Sequence, residues 1–519
     1  MFLNSAHVNG KSGISRLMFT TLMILILFTM SGIAAAQDGG VLRVGMNAPE
    51  NLDPATGSND PEILFNGTIY DYLIDVRPDN TLAPNLASGW EMSDDGLTYT
   101  FALVEGVQFH DGSDFTAADV VFTFERLKAV ESAALGLLGD FEVAADGDYT
   151  VVFTLAGLNA DFLYGIASRF AFILKEGTEN PGVLGEGDDV FSNFIGTGPF
   201  VLAEYSAGER AFLTANENYW IEGQPMLGGI EFLFIDDSLT QIDALRSGAV
   251  DFIFKLDVSQ VATLEGESDI VITEVVSNQH PLIRIRSDEG HLGEDARIRQ
   301  AFRLTTNREE LLLTVQEGRG LVGNNDPIGP TYGDFFAEID NPAFDSAAAC
   351  DLIQEATGEA RLGPIDFYVD NALNFESLAV ALQQQWSEGC IDVNILMRES
   401  GVYYANNEWM EVDLGITGWG HRPVPQIYLN IMVAGDAVWN EAHFADAEVD
   451  ELIAQASVTA DTMARAEIYA QISTILAERG PYVIPWFSSL IGAASSIVEG
   501  LEMHPFPGLT DFRSVSIND

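Results

Sequence analysis

The sequence predicts an α/β protein built from two lobes, and three observations support this. First, 519 residues, of which 47% are hydrophobic, exceed what one hydrophobic core usually holds. Second, helical and strand-like patterns alternate between residues 347 and 396, which is typical of a largely parallel sheet covered by helices. Third, the chain has no long linker and no low-complexity tract. The lobes should therefore be joined by short crossings, which we place near Ser277–Pro281 and Gly480–Pro485.

The N-terminus has the pattern of a secretory signal. Lys11 and Arg16 precede an apolar run at 17–27, and three alanines ending at Ala36 provide a cleavage site. A membrane anchor is the alternative, but polar and glycine residues interrupt the run and no basic flank follows it. No cysteine follows that could carry a lipid. We therefore expect cleavage after Ala36, a periplasmic location and no lipoprotein anchor.

The charge of the chain is strongly negative, with 24 basic against 78 acidic residues and a formal net charge of −54. Such a surface repels nucleic acid and anionic lipid, so neither is an expected partner. It also repels itself at low salt. Because the screening length shortens from about 8 Å at physiological ionic strength to about 3 Å at 1 M, we expect a saline habitat and a higher melting temperature at high salt.

Cys350 and Cys390 are the only cysteines. In an oxidising compartment a lone pair is more often bridged than free, so the sequence predicts a disulfide. Two buried thiols are the alternative.

In chain order, a first strand at 40–45 leads into the loop Asn47–Pro54, which has two prolines, and then into a helix at 62–73. Two strands, 90–92 and 98–103, surround Asp94-Asp95-Gly96, the pattern of a tight hairpin. Thr116 has the position of a helix N-cap, with Asp119 three residues later to complete the capping pair.

The middle of the chain offers little sign of catalysis. Residues 131–192 show small helices, strands and loops without evident chemistry. Gly196-Thr197-Gly198-Pro199 resembles a phosphate loop, but no Gly-Lys-Ser/Thr follows it, so we interpret it as a tight entry into the next strand. A single amphipathic helix is predicted over 295–313. We interpret the arginines on its polar side as a solvated face that pairs with carboxylates: Arg297, Arg299, Arg303 and Arg308.

Several of these segments, in this order, resemble the signatures of family 5 extracytoplasmic solute-binding proteins, the peptide- and nickel-type receptors of ABC importers. They are the Asp-Asp-Gly hairpin, Gly106-Val-Gln-Phe-His-Asp-Gly112, Gly196-Thr-Gly-Pro-Phe200 and Ala244-Leu-Arg-Ser-Gly-Ala-Val-Asp251. The resemblance covers essentially the whole mature chain.

The resemblance implies a two-lobed periplasmic-binding-protein-like fold of type II, in the large family 5 form. We expect lobe I at 37–279 plus 485–519, with an extra subdomain at roughly 80–220, and lobe II at 280–484. It also implies a monomer without cofactor or catalytic residues. Such a protein closes its lobes over a ligand and delivers it to the transmembrane permease subunits, which a separate ATPase drives.

The candidate ligand site is the loop within Gly418–Asn430, after a strand predicted at 412–417, because α/β lobes usually bind ligands at this end of a strand. Trp419 offers a stacking face, and His421 and Arg422 offer donors. Peptide-binding relatives carry an Asp in this loop for the ligand's amino group, and dipeptide-type relatives an Arg in the loop that here begins at Val369. Neither is present. The remaining predicted contacts are less central: Asn47 and Glu50 from the first loop, and Tyr403, Tyr404 and Trp439 as aromatic walls.

Arg422 in a cleft should meet an anion, either a peptide-like or other organic solute or a structural carboxylate. Two further functions stay open. One is a nickel or metal-chelate receptor with His421 as a ligand. The other is a secreted hydrolase, which would need two acids facing each other across the cleft.

Overall fold

The computed structural model describes residues 39–185, 190–371, 375–405 and 407–518. The predicted signal peptide, 1–36, and the cleavage site after Ala36 lie outside the described residues. Within the described ranges, no helix has the length and apolar character needed to cross a membrane.

The strands are, in chain order, β1 (Val41–Met46), β2 (Ile74–Val76), β3 (Leu82–Pro84), β4 (Ala87–Met92), β5 (Thr98–Leu103), β6 (Phe141–Ala145), β7 (Thr150–Leu155), β8 (Phe200–Ser206), β9 (Arg210–Ala215), β10 (Gly229–Phe234), β11 (Phe252–Leu256), β12 (Ile270–Val276), β13 (His280–Ile285), β14 (Leu321–Val322), β15 (Leu362–Asp370), β16 (Ile391–Arg398), β17 (Leu414–Trp419), β18 (Tyr482–Val483), β19 (Trp486–Phe487), β20 (Ser489–Ser495), β21 (Val498–Glu499) and β22 (Ser516–Ile517).

The helices are α1 (Asp60–Ile69), α2 (Ala117–Ala129), α3 (Leu135–Leu138), α4 (Phe162–Ile166), α5 (Ser238–Arg246), α6 (Val258–Val261), α7 (Ala296–Leu304), α8 (Arg308–Val315), α9 (Ser346–Thr357), α10 (Phe375–Glu388), α11 (Ser400–Ala405), α12 (Glu408–Glu411), α13 (Pro425–Tyr428), α14 (Ala447–Val458) and α15 (Thr462–Arg479).

Two mixed sheets form the centres of the two lobes. The first has the order β12-β20-β11-β1-β10-β9-β8, and β1 pairs in parallel with both β10 and β11. The second has the order β16-β15-β17-β13-β18, with β15 parallel to both β16 and β17. Separate hydrophobic clusters pack on the two sheets, which is the two-lobed α/β architecture predicted from the sequence.

A four-stranded sheet, β4-β5-β7-β6, forms a subdomain with its own hydrophobic cluster. Its first hairpin turns at Gly96, whose φ of +70° is the left-handed conformation that the sequence pattern predicted. The Thr116 amide donates to the Asp119 carboxylate (2.8 Å) at the start of α2. Strands β8 and β9, within the predicted range 80–220, belong to the seven-stranded sheet instead, so the subdomain's own sheet is shorter than predicted.

The chain crosses between the two central sheets at two places. One lies at 277–279, between β12 and β13, inside the predicted segment. The other lies between β18 and β20, four to eight residues beyond Gly480, because Tyr482 and Val483 still pair with β13. The lobe boundaries given above, 37–279 with 485–519 and 280–484, remain our proposal.

The Gly-Thr-Gly segment has a structural role. A Cβ on Gly196 would lie 2.0 Å from the carbonyl oxygen of Ile69, and one on Gly198 would lie 2.5 Å from it. The Thr197 hydroxyl donates to the buried Asp71 (3.0 Å). The segment therefore packs directly against the end of α1, and no side chain would fit at either glycine position.

The prediction for the arginine-rich helix was wrong. The segment forms two helices, α7 and α8, and most of its arginines turn inward to backbone carbonyls. Arg303 is 1% exposed and donates to the carbonyl oxygens of Leu476 (3.1 Å), Glu478 (2.9 Å) and Gly480 (2.7 Å) at the end of α15. The Leu476 carbonyl also accepts from the Gly480 amide (2.9 Å), whereas those of Glu478 and Gly480 have no donor four residues later in the helix. All three lie at the negative end of the helix dipole, so they attract a cation as a carboxylate would.

Neighbouring arginines follow the same pattern. Arg299 donates to the carbonyl of Arg479 (2.7 Å), and Arg308 donates to that of Ile484 (3.2 Å). Burial lowers the pKa of Arg303 to about 10 and that of Arg308 to about 9. Arg297 alone of the four pairs with a carboxylate, that of Asp295 (2.6 Å).

Cys350 and Cys390 form a disulfide, with their sulfur atoms 2.01 Å apart. It joins α9 to the residue that precedes β16, on lobe II.

Candidate functional site: a cavity between the lobes

A cavity of about 290 Å³ lies between the lobes, and both contribute to its wall. Lobe II supplies the segment from His421 to Ile431 together with Val438 and Trp439. Lobe I supplies Tyr164–Phe170, the tip around Asn80, and His504, Phe506 and Leu509 from the C-terminal segment. The wall is mostly apolar and carries a few polar groups, which is typical of a small-molecule site.

The lobe II side of the cavity is held by hydrogen bonds to the crossing segment. The Tyr428 hydroxyl lies 2.6 Å from the carbonyl oxygen of Gly420 and 3.0 Å from that of Asn278. The backbone amide of Asn278 donates to Nδ1 of His421 (3.0 Å), and the Tyr332 hydroxyl donates to the carbonyl of Arg422 (2.7 Å). The loop after β17 is therefore fixed to the point where the chain passes from one lobe to the other.

Two arginines, one from each lobe, face this cavity. Arg422 donates to the carbonyl of the preceding residue (3.1 Å), and its guanidinium lies 6.0 Å from the Tyr428 ring. Arg169 lies over the rings of Phe170 (4.9 Å) and Phe506 (4.8 Å). Within the described part of the chain, neither guanidinium forms an ion pair.

The electrostatics of the two arginines are coupled across the cavity. Burial and the charge of Arg422 together lower the pKa of Arg169 to about 10, while Asp60 and Glu62 oppose this from a distance. Glu62 is itself held by the amides of Asn51 (2.7 Å) and Ser58 (2.6 Å). A guanidinium group is a cation in proteins, so the cavity combines two like charges that repel each other.

The histidines of the cavity are neutral. Burial, together with the neighbouring His504 and Arg422, lowers the pKa of His421 to about 3, and burial lowers the pKa of His504 to about 4. Because Nδ1 of His421 accepts from the Asn278 amide, its proton is on Nε2. Among the described residues, this buried Nε2–H has no hydrogen-bond partner.

The predicted site residues divide into three groups. His421, Arg422 and Trp439 line the cavity. Asn47 and Glu50 are exposed on the first loop and Tyr404 is 36% exposed, and none of the three is among the residues of the cavity wall. Trp419 and Tyr403 lie in the interior.

The placement of Trp419 corrects the prediction that it offers a stacking face to a ligand. The strand continues through Trp419, which pairs with His280, rather than ending at Thr417. The indole is 5% exposed and donates to Glu441 (2.9 Å), which in turn pairs with the buried Arg284 (3.0 Å).

Tyr403 belongs to the same buried group. It is fully buried, and its hydroxyl accepts a hydrogen bond from Arg284 (3.0 Å). It packs in the lobe and does not form an aromatic wall of the cavity.

Sequence reasoning missed the lobe I side of the cavity. Arg169, Tyr164 and Phe170 come from the stretch 131–192, in which we expected no chemistry. One signal was available, because Arg169 is one of only 24 basic residues in the chain and directly precedes an apolar run, Phe170 to Leu174. Asn80 and Phe506 gave no such signal.

Direct contacts hold the lobes together beside the cavity. Asp161 and Arg465 form a two-point ion pair (2.6 and 2.8 Å) in which both side chains are at most 5% exposed. The amide of Ala160 donates to the carbonyl of Ser457 (2.9 Å), and Asn80 Nδ2 donates to the carbonyl of Thr331 (3.1 Å). The structure is therefore that of a closed form.

The two alternative functions can be compared with this geometry. No Asp or Glu is among the described residues that line the cavity, so the facing acids that a hydrolase would need are not found there. No group of three or more potential metal-ligating residues is found in the part of the chain that the structure describes. The Nδ1 lone pair of His421 is already used by the Asn278 amide.

Two α/β lobes, joined by short crossings and closed over a cavity, define a solute-binding protein. The family model "Bacterial extracellular solute-binding proteins, family 5 Middle" matches residues 81–440. The chain belongs to this family.

Individual relatives agree with this membership. Heme-binding protein A of Haemophilus influenzae is 26% identical over 496 residues, covering 88% of this chain and 90% of that protein. The dipeptide-binding protein of Escherichia coli is 25% identical over 532 residues, covering 95% and 97%. The ABC transporter substrate-binding protein CtaP of Listeria monocytogenes superposes with a TM-score of 0.80 at 23% identity, over 93% of this chain and all of that chain. These relatives are binding proteins and not enzymes.

Proposed function

We propose that this protein is the periplasmic substrate-binding component of an ABC importer and that it captures an organic anion between its lobes. The anion is a peptide-like or other carboxylate-bearing solute of small size. The mature protein begins after Ala36, carries no lipid anchor and acts as a monomer. It delivers the solute to transmembrane permease subunits that a separate ATPase drives.

The observation that carries this proposal is the pair of arginines, Arg169 and Arg422, that face one cavity without a carboxylate partner. Both arginines are only partly exposed, and desolvating a charge without a counter-charge is unfavourable, so a bound anion would offset that cost for both arginines at once. A guanidinium can also hold a carboxylate through two hydrogen bonds. The structural carboxylate that the sequence left open as an alternative partner is not found for Arg422 among the described residues.

The cavity is small, which bears on the size of the solute. Its volume of about 290 Å³ is near the lower end of the range of about 300–1,000 Å³ for small-molecule sites. A solute of one or two residues in length fits this space, whereas a long peptide in this closed form does not.

Mass spectrometry of the natively purified protein tests the proposal, because the expected result is a bound organic anion. Replacing the positive charge in Arg422→Ala should weaken binding of that anion more than tenfold in isothermal titration calorimetry. Arg361→Ala removes an arginine from an exposed pair with Asp392 and is the matched control, for which no change is expected. Equal affinities of Arg422→Ala and of the native protein for the anion would show that Arg422 has a structural role and does not bind the ligand.

A further inference from the structure

The charged groups of the cavity wall disfavour solutes that carry an ammonium group. Its charged side chains are Arg169 and Arg422, and none of the described wall residues is acidic. A free amino acid or peptide carries an ammonium group as well as a carboxylate. Inside this cavity the ammonium would lie close to two guanidinium groups without a counter-charge, and both the desolvation and the repulsion oppose its entry.

Two buried polar atoms of the same wall have no partner among the described residues. One is Oδ1 of Asn80, a residue that is only 8% exposed and whose Nδ2 already donates to the carbonyl of Thr331. The Nδ2 contact fixes the orientation of the amide, so Oδ1 is an acceptor without a donor. The other is the Nε2–H of His421, a donor without an acceptor.

A buried donor or acceptor that lacks a partner costs about 1–3 kcal/mol, so a ligand that satisfies both atoms gains specificity as well as affinity. The acceptor at Asn80 requires a donor from the ligand. Because the wall offers no negative charge, that donor has to be neutral, such as an amide N–H. The donor at His421 requires an acceptor, such as an amide carbonyl or a second carboxylate oxygen.

Most of the remaining wall is apolar and includes Leu137, Phe170, Ile427, Ile431 and Phe506, although Tyr164, Ser168 and Asn430 also line it. The apolar part suits an apolar side chain of the ligand. The wall thus offers two cationic groups, one buried acceptor and one buried donor without partners among the described residues, and an apolar surface.

We propose that the solute is an N-acylated amino acid with an apolar side chain, that is, a carboxylate whose only nitrogen is a neutral amide, so that it carries no ammonium group. This inference rests on the proposed function and specifies its substrate class. The carboxylate meets Arg169 and Arg422, the amide N–H donates to Oδ1 of Asn80, and an oxygen of the ligand accepts from Nε2 of His421. A zwitterionic amino acid or dipeptide with the same side chain binds more weakly.

The test is isothermal titration calorimetry of the full mature chain, freed of bound solute by unfolding and refolding, with four matched probes. They are N-acetyl-L-phenylalanine, L-phenylalanine, alanyl-phenylalanine and N-acetyl-L-phenylalaninamide. We expect N-acetyl-L-phenylalanine to bind at least tenfold more tightly than each of the other three, because only this probe has a carboxylate and a neutral amide nitrogen without an ammonium group.

A single substitution should abolish the preference for N-acetyl-L-phenylalanine over L-phenylalanine. Asn80→Asp keeps the shape of the side chain and places a negative charge where the unpartnered acceptor lies. In this variant we expect the ratio of affinities for N-acetyl-L-phenylalanine and L-phenylalanine to fall at least tenfold. Asn394→Asp introduces the same charge on an exposed position of β16 and should leave the ratio unchanged.

The outcomes separate this inference from the proposed function. If L-phenylalanine or alanyl-phenylalanine binds the native chain as tightly as the acetylated probe, or if none of the four binds, the inference is overturned. The proposed function is then tested separately, by the anion that mass spectrometry recovers and by the affinity of Arg422→Ala for that anion. If Asn80→Asp does not fold, the comparison of the four probes with the native chain decides alone.

Discussion

The ion pair between Asp161 and Arg465 joins the two lobes, so its loss should favour opening. Asp161 precedes α4 in lobe I and Arg465 lies on α15 in lobe II, and both side chains are at most 5% exposed. When the lobes separate, the side chains of Asp161 and Arg465 both become hydrated. The variant Asp161→Asn keeps the size of the side chain and removes only the charge.

The size of the effect follows from burial. Removing one partner of a buried ion pair costs about 3–5 kcal/mol, because the other charge stays desolvated. In Asp161→Asn, the amide oxygen can still accept one hydrogen bond, but the Arg465 guanidinium loses its counter-charge. Its other contacts are a marginal one with Gln426 (3.5 Å) and its position over two aromatic rings. The open form does not contain the pair and carries no such cost. We therefore expect the free energy of opening to fall by at least about 3 kcal/mol, which corresponds to about a hundredfold change in the equilibrium.

Hydrogen exchange measures this opening without a ligand. The amide of Ala160 donates to Ser457 across the lobes, so it exchanges when the lobes part. We expect its exchange rate to rise about a hundredfold in Asp161→Asn, in line with that free energy. The amide of Leu103, which donates to Tyr149 within the subdomain, should keep its rate.

The matched control is Asp392→Asn, which breaks the pair with Arg361, whose side chains are 45% and 43% exposed. Exposed pairs contribute about 1 kcal/mol at most, so the exchange of Ala160 should stay as in the native chain. An unchanged exchange rate of Ala160 in Asp161→Asn would refute the reasoning, since the pair would then contribute nothing to closure.

Three further predictions concern stability. Because the folded state lowers the pKa of His421 from 6.5 to about 3, the unfolded state binds more protons below pH 6.5, and stability is lost as the pH falls. His421→Asn should lose less stability, and the difference in the free energy of unfolding between the two chains should change by about 2.3 kcal/mol between pH 6.5 and 4.5 in urea titrations; parallel curves would contradict this. Replacing Cys350 and Cys390, which are 40 residues apart, by alanine should lower the free energy of unfolding by about 4 kcal/mol, and an equal value in both chains would count against a closed disulfide in solution. Arg303→Met removes the side-chain donor of two carbonyls at the end of α15, those of Glu478 and Gly480, and should lower the free energy of unfolding by about 2 kcal/mol or more, whereas Arg297→Met, at a more exposed position, should not; equal urea midpoints for the two variants would disprove the inward role of Arg303.

Features governed by near neighbours in the chain could be predicted from the sequence. The turn at Gly96 and the capping contact between Thr116 and Asp119 depend on a few consecutive residues, and both are present. The alternation of helices and strands also predicted the two-lobed fold, because buried faces leave a periodic pattern.

The candidate site was only half predictable, because its other half depends on contacts between distant segments. Trp419 can be buried because its indole N–H donates a hydrogen bond to Glu441. Glu441 can be buried beside it because its carboxylate pairs with Arg284. No local pattern connects these three residues. Arg169 reaches the cavity through the packing of the subdomain against lobe II, where the partners Asp161 and Arg465 are 304 residues apart.

The two sets of charges between the lobes act in opposite directions. Asp161 and Arg465 attract each other across the interface, whereas Arg169 and Arg422 repel each other across the cavity; burial and the charge of Arg422 together lower the pKa of Arg169. The anion that we propose would convert this repulsion into attraction on both sides, so part of its binding energy would favour closure. Without the anion, the repulsion offsets part of the ion pair. Under this proposal, closure depends on the charge of the ligand, and loss of the anion to a partner would return the lobes towards the open form.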